Sequence, residues 1–389
     1  MKITYTSPNR SHHYPYAKAM HAAGHLYAYV SGFSRLSPRA PIPEIGDKLK
    51  RHDFYQTLYL ASMKFKALSP FVGMLNQLSN KRLDDVSYSW AKNSDVFIYY
   101  RTQGLKSTIK LHKENNPALC VMEEVNSHVE YANDILYQEF KQLGINQRYD
   151  KETDYDLRLR TYEEADCILC PSEFVRRSFI AKGFSPDRIL KVNFGFPPIE
   201  ISPSEGKASD KETMNFLYVG QLHYRKGLRY ALEAFKKLKH PGKQFTIVGP
   251  NTPITGLENT QIPPNVVFTG PLKGEELKAQ YKKADVFVLP SLEEGLALVQ
   301  GEALAFGIPL LITTNTGGDD IIKDGVEGFI VQPGDAEALY QRMQQMADDR
   351  DLLNKMSENA LQAAKDLGSW DAAAERLISE LTRVLTIHK

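Results

Sequence analysis

The chain has 389 residues, 42% apolar and 24% charged, with 48 Lys and Arg against 47 Asp and Glu. That composition is ordinary for a globular protein of two or three domains, at about 150 residues each, and excludes collagen-like, low-complexity and largely disordered chains. Near-neutral net charge argues against a general nucleic-acid coat, and three cysteines cannot build a disulfide scaffold and fit a reducing compartment.

The N-terminal stretch reaches Arg10 without an apolar core, so no secretory signal is expected. The apolar runs Val96–Tyr100, Val286–Pro290 and Ile308–Thr313 fall far short of the ~20 residues of a membrane helix. The expectation is a cytoplasmic protein, at most peripheral at the inner membrane surface. Its charge is uneven. Residues 1–113 hold 17 Lys and Arg but 6 Asp and Glu, a formal +11, and six of the ten His. Two readings stay open: a basic face for an acidic partner, or scattered, solvated charge.

In chain order, Lys2–Tyr5 reads as a strand and Tyr16–Ala23 as a helix. Residues 36–90 are less regular and read as a helical insertion. The strand pattern resumes at Val96–Tyr100, Ala118–Met122, Cys167–Cys170 and Ile189–Val192. The Cys167–Cys170 pair reads as a buried strand rather than a redox or zinc motif. Residues 199–212, rich in Pro, Ser and charge, read as a linker. Strands then follow at Asn215–Val219, Phe245–Val248, Val266–Phe268, Val286–Leu289, Pro309–Ile312 and Phe329–Val331. Helices fall at Leu228–Leu238, Gly274–Lys283, Ala297–Phe306 and Ala336–Asp348. Apolar strands alternating with helices predict parallel sheets covered on both faces. The expected domains are 1–198 and 213–369, with a last helix at about 370–389 packing back on the first.

Two strand–loop–helix segments carry candidate chemistry. After Leu217–Val219, Gly220 turns the chain out of the strand, and Arg225 and Lys226 stand with Gly227 at the next helix start. Helix N–H groups, the dipole and a full positive charge there suit a phosphate. After Asp285–Leu289, Glu294 lies in a loop, Glu302 lies in the following helix, and N–H groups near Leu298 would meet a diphosphate. A Glu carboxylate accepts from both hydroxyls of a vicinal diol. The competing reading is Ser291 and Glu294 as a capping box, against which Gly295 is a poor second helical residue.

The order and spacing of these pieces resemble the donor half of retaining glycosyltransferases of family 4. The resemblance rests on Val219-Gly220 through Lys226-Gly227, Gly270-Pro271-Leu272, Ala284-Asp285 through Ser291, Glu294-x7-Glu302, Gly307-x-Pro309 and Asp324-Gly325-x2-Gly328. Earlier and later pieces, Pro171-Ser172-Glu173-Phe174 and Gly368-Ser369-Trp370, extend it over roughly 165–389. It implies an α/β GT-B fold, two Rossmann-like domains with parallel sheets facing each other across a cleft. It also implies transfer from a UDP- or GDP-sugar without a resident cofactor or metal. The implied donor residues are Gly220, Gln221, Lys226, Leu272, Glu294, Gly295, Leu296, Ala297, Leu298, Val299 and Glu302. The implied catalytic residues are His128, Glu294, Lys226 and Arg225. The family's usual Arg is replaced by Gln221, with Arg225 the expected substitute, and the usual glycine-rich first loop is Ser7–Tyr16. Arg10, His12, His13 and Tyr14 are the acceptor candidates, for a glycan, a lipid-linked or another acidic acceptor. No third metal ligand accompanies His12 and His13 in sequence, and adjacent side chains usually diverge, so no metal is expected. The rivals are another GT-B enzyme, a sugar phosphorylase or nucleotide-sugar epimerase, and a non-catalytic carbohydrate-binding subunit.

Overall fold

In the computed structural model the described residues are 1–37, 43–145, 155–196, 212–250, 257 and 260–387. The first domain runs β1 (Ile3–Ser7), α1 (His13–Ala22), β2 (Leu26–Ser31), β3 (Leu49–Arg51), α2 (Phe54–Lys64), α3 (Val72–Ala91), β4 (Val96–Tyr100), α4 (Leu105–Lys113), β5 (Leu119–Glu123), α5 (Val129–Gln142), α6 (Tyr155–Glu164), β6 (Cys167–Cys170), α7 (Glu173–Ala181) and β7 (Ile189–Lys191). The second runs β8 (Met214–Val219), α8 (Leu228–Lys237), β9 (Lys243–Val248), β10 (Val266–Gly270), α9 (Gly274–Lys283), β11 (Val286–Leu289), α10 (Leu298–Ala305), β12 (Leu310–Thr313), β13 (Gly328–Val331), α11 (Ala336–Asp348) and α12 (Arg350–Leu367). A last helix, α13 (Trp370–Ile387), follows. Most of the linker expected at 199–212 lies outside the described residues.

Both sheets are parallel, in the orders β3-β2-β1-β4-β5-β6-β7 and β10-β9-β8-β11-β12-β13. Apolar runs such as Val286–Leu289 fill both faces of central strands, which is why they read as continuous rather than alternating. Each order reverses direction once, between β1 and β4 and between β8 and β11. Strand carboxyl ends at such points open the crevices where α/β sheets take ligands. Cys120, Cys167 and Cys170 are all buried free thiols, so the pair on β6 is structural. Burial raises all three thiols, Cys167 to about 11.

The insertion at 36–90 contains β3, α2 and α3 among its described residues. The helix α13 lies along α1 in the first domain. Trp370 meets the rings of Tyr16 and Phe194 at 5.3 and 5.9 Å, and Ala373, Leu377, Leu381 and Val384 bury one stripe of α13. No helix among the described residues is long and apolar enough to cross a membrane.

Candidate active site

The second domain's site is built from the loops after β8 and β11. Lys226 is buried and its ammonium contacts the Glu294 carboxylate. Arg225 Nη1 donates to the Glu293 carbonyl and carboxylate, both at 3.1 Å, and lies 3.4 Å from Glu294. Burial pulls the Lys226 ammonium down to about 7, the Arg225 charge adding to the shift and Glu293 opposing it. Two basic and two acidic side chains therefore meet in one mostly buried cluster. Gly227 makes this possible. Its φ of 60° starts α8 in the left-handed region, and a Cβ there would stand 2.1 Å from the Pro290 carbonyl.

The capping-box alternative is not what the chain does. The helix begins at Leu298, with Ala297 before it and no side-chain cap, and the Ser291 hydroxyl is buried without a hydrogen-bond partner among the described residues. Glu294 stays in the loop, its N–H donating to Asn315 at 2.9 Å. Glu302 lies about one turn into α10 and accepts from Tyr281 at 2.8 Å. Burial raises the Glu302 carboxyl, and that hydrogen bond partly offsets the rise. Tyr281 is fixed by a stack on Phe306 with ring centroids 5.2 Å apart.

The first domain closes over this loop. Ser127 donates to the Glu293 carboxylate from its N–H at 3.0 Å and its hydroxyl at 2.8 Å, and Ser172 donates to the Gly295 carbonyl at 2.7 Å. A Cβ on Gly295 would stand 1.5 Å from the Val125 carbonyl oxygen. The glycine that looked wrong for a helix is thus required by the other domain's backbone. Further out, Asp320 receives the Glu173 N–H and Lys191, each at 2.5 Å, Arg177 reaches Asp319 at 3.0 Å, and Arg229 reaches Glu139 at 2.7 Å.

The first domain's own strand ends hold two buried carboxylates. Glu123 accepts from Tyr5 at 2.7 Å and meets His12 at 2.9 Å and His13 at 3.1 Å. Burial alone would raise the Glu123 carboxyl, but the two imidazoles outweigh it and hold it well below the usual range. Burial, with His12 beside it, lowers His13 to about 4. Glu124 is gripped by Arg101 at 3.2 Å and Arg158 at 2.9 Å. Beside them lies a cleft of about 250 Å³ lined by Asn9, Gln56, Tyr59, Asn76, Asn80 and Arg101, whose amide, phenol and guanidinium groups suit sugar hydroxyls or an anion.

The fold brings together Lys226, Arg225, Glu294 and Gly295, and Leu296 and Ala297 lead directly from them into the start of α10 at Leu298 and Val299. Gly220 forms the turn expected of it, its N–H donating to Val248 at 2.9 Å, and Gln221 is exposed beside it. Leu272 is half-buried in the loop between β10 and α9. His128 is not brought to this group. It caps α5, its Nδ1 accepting from the Glu130 N–H at 3.2 Å, and its ring is enclosed by Tyr162, Phe179 and Phe184. Burial, with Lys182 adding, lowers its imidazole to about 4. The expected divergence of His12 and His13 is also corrected: their ring centroids are 3.9 Å apart and both face Glu123. These three, and His112 with Cys120 and Asp166, are the described sets with ligand atoms close enough to hold a metal ion. Both imidazoles are turned inward, while Tyr14 donates to Glu44 at 2.5 Å and Arg10 lies over the Tyr14 ring. Sequence reasoning missed Glu123, Glu293 and Ser127. Each is a polar residue at a strand end or in the loop after one, the only signal that could have singled it out.

Residues 200–363 match the family profile described as "Glycosyl transferases group 1". The sulfoquinovosyl transferase SQD2 of Arabidopsis thaliana is 28% identical over 234 residues, 56% of this chain and 45% of that protein. An uncharacterized glycosyltransferase of Methanocaldococcus jannaschii is 31% identical over 240 residues, 57% of this chain and 60% of that one. The chain thus spans less than two thirds of these relatives' lengths. Among solved structures, a sucrose-phosphate synthase from Thermosynechococcus elongatus has a TM-score of 0.66 at 20% identity, with both chains fully covered. Anabaena HepE, solved with UDP and glucose, has a TM-score of 0.67 at 14% identity, covering 98% of this chain and all of that one. The fold is GT-B: two Rossmann-like α/β domains.

Proposed function

We propose that the protein is a retaining glycosyltransferase that moves a sugar from a UDP- or GDP-sugar to a hydroxyl of a glycan, a lipid-linked or another acidic acceptor. The observation that carries this reading is the meeting of Lys226, Arg225, Glu294 and the uncapped start of α10, with Glu302 a turn further on. In it, the Glu302 carboxylate accepts from the ribose diol and Glu294 from hydroxyls of the transferred sugar. Lys226 exchanges its contact with Glu294 for phosphate oxygens, and the α10 N–H groups share the diphosphate charge. The leaving phosphate oxygen takes the acceptor proton on the face it departs from, so the protein contributes position and electrostatic stabilisation. Arg225 stands in for the Arg absent at Gln221. Positive charge comes from the chain itself, so transfer needs no divalent ion. The amide-lined cleft at Arg101 receives the acceptor, and the enzyme works in the cytoplasm at the inner membrane surface. That HepE was solved with UDP and glucose supports a uridine donor.

The test is calorimetry with UDP, GDP and their sugars, followed by transfer in chelator with the product's anomeric configuration read by NMR. Binding of a nucleoside diphosphate and a product of retained configuration are expected. An inverted product, or transfer restored only by magnesium or manganese, overturns the respective part. A reaction that consumes phosphate identifies a sugar phosphorylase instead.

A further inference from the structure

The helix α2 is built inside out. Its buried residues are Gln56 and Ser62, while Phe54 and Met63 stand 68% and 62% exposed. The apolar surface continues past the helix through Phe65, Phe71 and Met74. Among the described residues, eight of the fifteen exposed large apolar side chains lie between Phe54 and Met74. An apolar patch left in water on this scale marks an interaction surface. The inner face has its own task. Gln56 and Tyr59 of α2, with Asn76 and Asn80 of α3, line the polar cleft beside Arg101.

Charge selects what covers the outer face. Further along α3, Asp84 is buried and exposed Asp85 is paired with Lys106 at 3.6 Å, while residues 48–82 contain seven Lys and Arg and one acidic residue, Asp53. That carboxylate is buried and taken up by Arg35 at 2.9 Å. Lys64, Lys81 and Arg82 are exposed on the same pair of helices. A second copy packed by two-fold symmetry would set this basic patch against itself. An anionic lipid surface offers both the apolar interior and the opposite charge that the patch lacks. We propose that α2, the turn after it and the start of α3 dock this protein on an anionic bilayer, with Phe54, Met63, Phe65 and Phe71 entering the interface and the surrounding Lys and Arg meeting headgroups. The docking stands on this face alone. Only its use, holding the acceptor cleft against the membrane that carries a lipid-linked acceptor, rests on the glycosyltransferase reading.

The experiment is co-sedimentation of the full chain, without nucleotide, with vesicles of phosphatidylcholine and with vesicles containing about one third phosphatidylglycerol. Binding to the anionic vesicles, weakened by salt, is expected. The double substitution Met63→Ser and Phe65→Ser removes two exposed side chains and is expected to weaken partitioning at least about tenfold without altering the circular dichroism spectrum or Tm. The charge reversals Lys64→Glu, Lys81→Glu and Arg82→Glu together are expected to abolish the preference for anionic vesicles. No binding by the wild-type chain, or equal binding by the serine variant, overturns the proposal. So does a solution dimer that the serine variant dissociates, which would make a second copy the occupant. Nucleotide binding is measured without vesicles, so either reading can fail while the other stands.

Discussion

Replacing Gly295 by alanine tests whether the two domains must close on the Glu294 loop. The added Cβ would lie 1.5 Å from the Val125 carbonyl oxygen and 2.6 Å from its carbon. Ordinary contact begins near 3.4 Å, so the two backbones must separate by about 2 Å. The clash lies between domains, so each keeps its own core and relief comes from opening. A 2 Å retreat breaks both Ser127 bonds to Glu293 and the Ser172 bond to the Gly295 carbonyl. With two bonds to a carboxylate and one neutral bond, the closed form loses about 3–6 kcal/mol. A misplacement of about 1 Å at a reacting centre lowers rates about 100-fold, so Gly295→Ala should transfer sugar at least about 100-fold more slowly. Tm should stay within a few degrees of wild type, and the radius of gyration from small-angle scattering should rise. Turnover within about threefold of wild type would refute the closure argument. So would a collapse of Tm, which would place the clash inside a folding unit.

Three further outcomes separate the roles of single side chains. Glu302→Ala should weaken nucleoside diphosphate binding about tenfold to a hundredfold by calorimetry, since hydrogen bonds to a charged acceptor contribute about 1.5–3 kcal/mol; unchanged affinity would remove Glu302 from the ribose. Lys226→Met should lower turnover about 100-fold to 1,000-fold. Its ammonium is lowered from its ordinary 10.5 to about 7, so diphosphate affinity should fall as pH rises above about 7. Between those values the unfolded chain binds the extra proton, so stability rises with pH there, and Lys226→Met should flatten both dependences; persistence of either in the variant would defeat the assignment. His128→Ala should lose about 1 kcal/mol of stability with the α5 cap and roughly a further 2–5 kcal/mol with the packing of its enclosed ring, while His128→Asn, which still caps, should recover only the first and keep turnover. A folded His128→Asn enzyme that is about 100-fold slower would show the ring acting on substrate.

The parallel, doubly covered sheets are legible because the central strands are apolar on both faces, a pattern that survives without knowledge of their neighbours. The flank of the first sheet is harder to read, where β2 lies between the edge strand β3 and β1. In β2, Leu26–Ser31, the Tyr29 hydroxyl spends its polarity on Ser7 at 2.7 Å, a partner 22 residues away that no local pattern reveals. The helix α2 reads irregularly because its polar residues are the buried ones. The placement of Lys226 and Glu294 in loops after strands and of Glu302 in the next helix is legible from spacing around their turns. Glu293 is not, because its partners Ser127 and Arg225 lie 166 and 68 residues away. The surroundings of His128 are hidden by the same limit. A histidine after a strand looks like a site residue until Tyr162, Phe179 and Phe184 arrive from other elements to enclose it.

The contacts between the domains divide by chemistry, and the division says which side moves. Across the mouth they are mainly polar: Ser127 on Glu293, Ser172 on Gly295, Arg177 on Asp319, Lys191 on Asp320 and Arg229 on Glu139. Water can replace each partner when they part, and Glu293 keeps Arg225 from its own domain, so no buried charge is stranded by opening. On the other side, α13 buries Leu377, Leu381 and Val384 and sets Trp370 against Tyr16 and Phe194. Opening there would expose apolar surface at about 25 cal/mol per Å², with nothing to replace it. The expected motion is therefore a hinge about the α13 side that parts the Glu294 loop from Ser127 and leaves α13 seated on α1. Leu377→Ala should loosen that side, lowering Tm through the lost packing at about 2–5 kcal/mol. Ser127→Ala should leave Tm nearly unchanged while weakening closure and slowing transfer. If the two variants lower Tm equally, the polar mouth is part of the folding core and the hinge assignment fails.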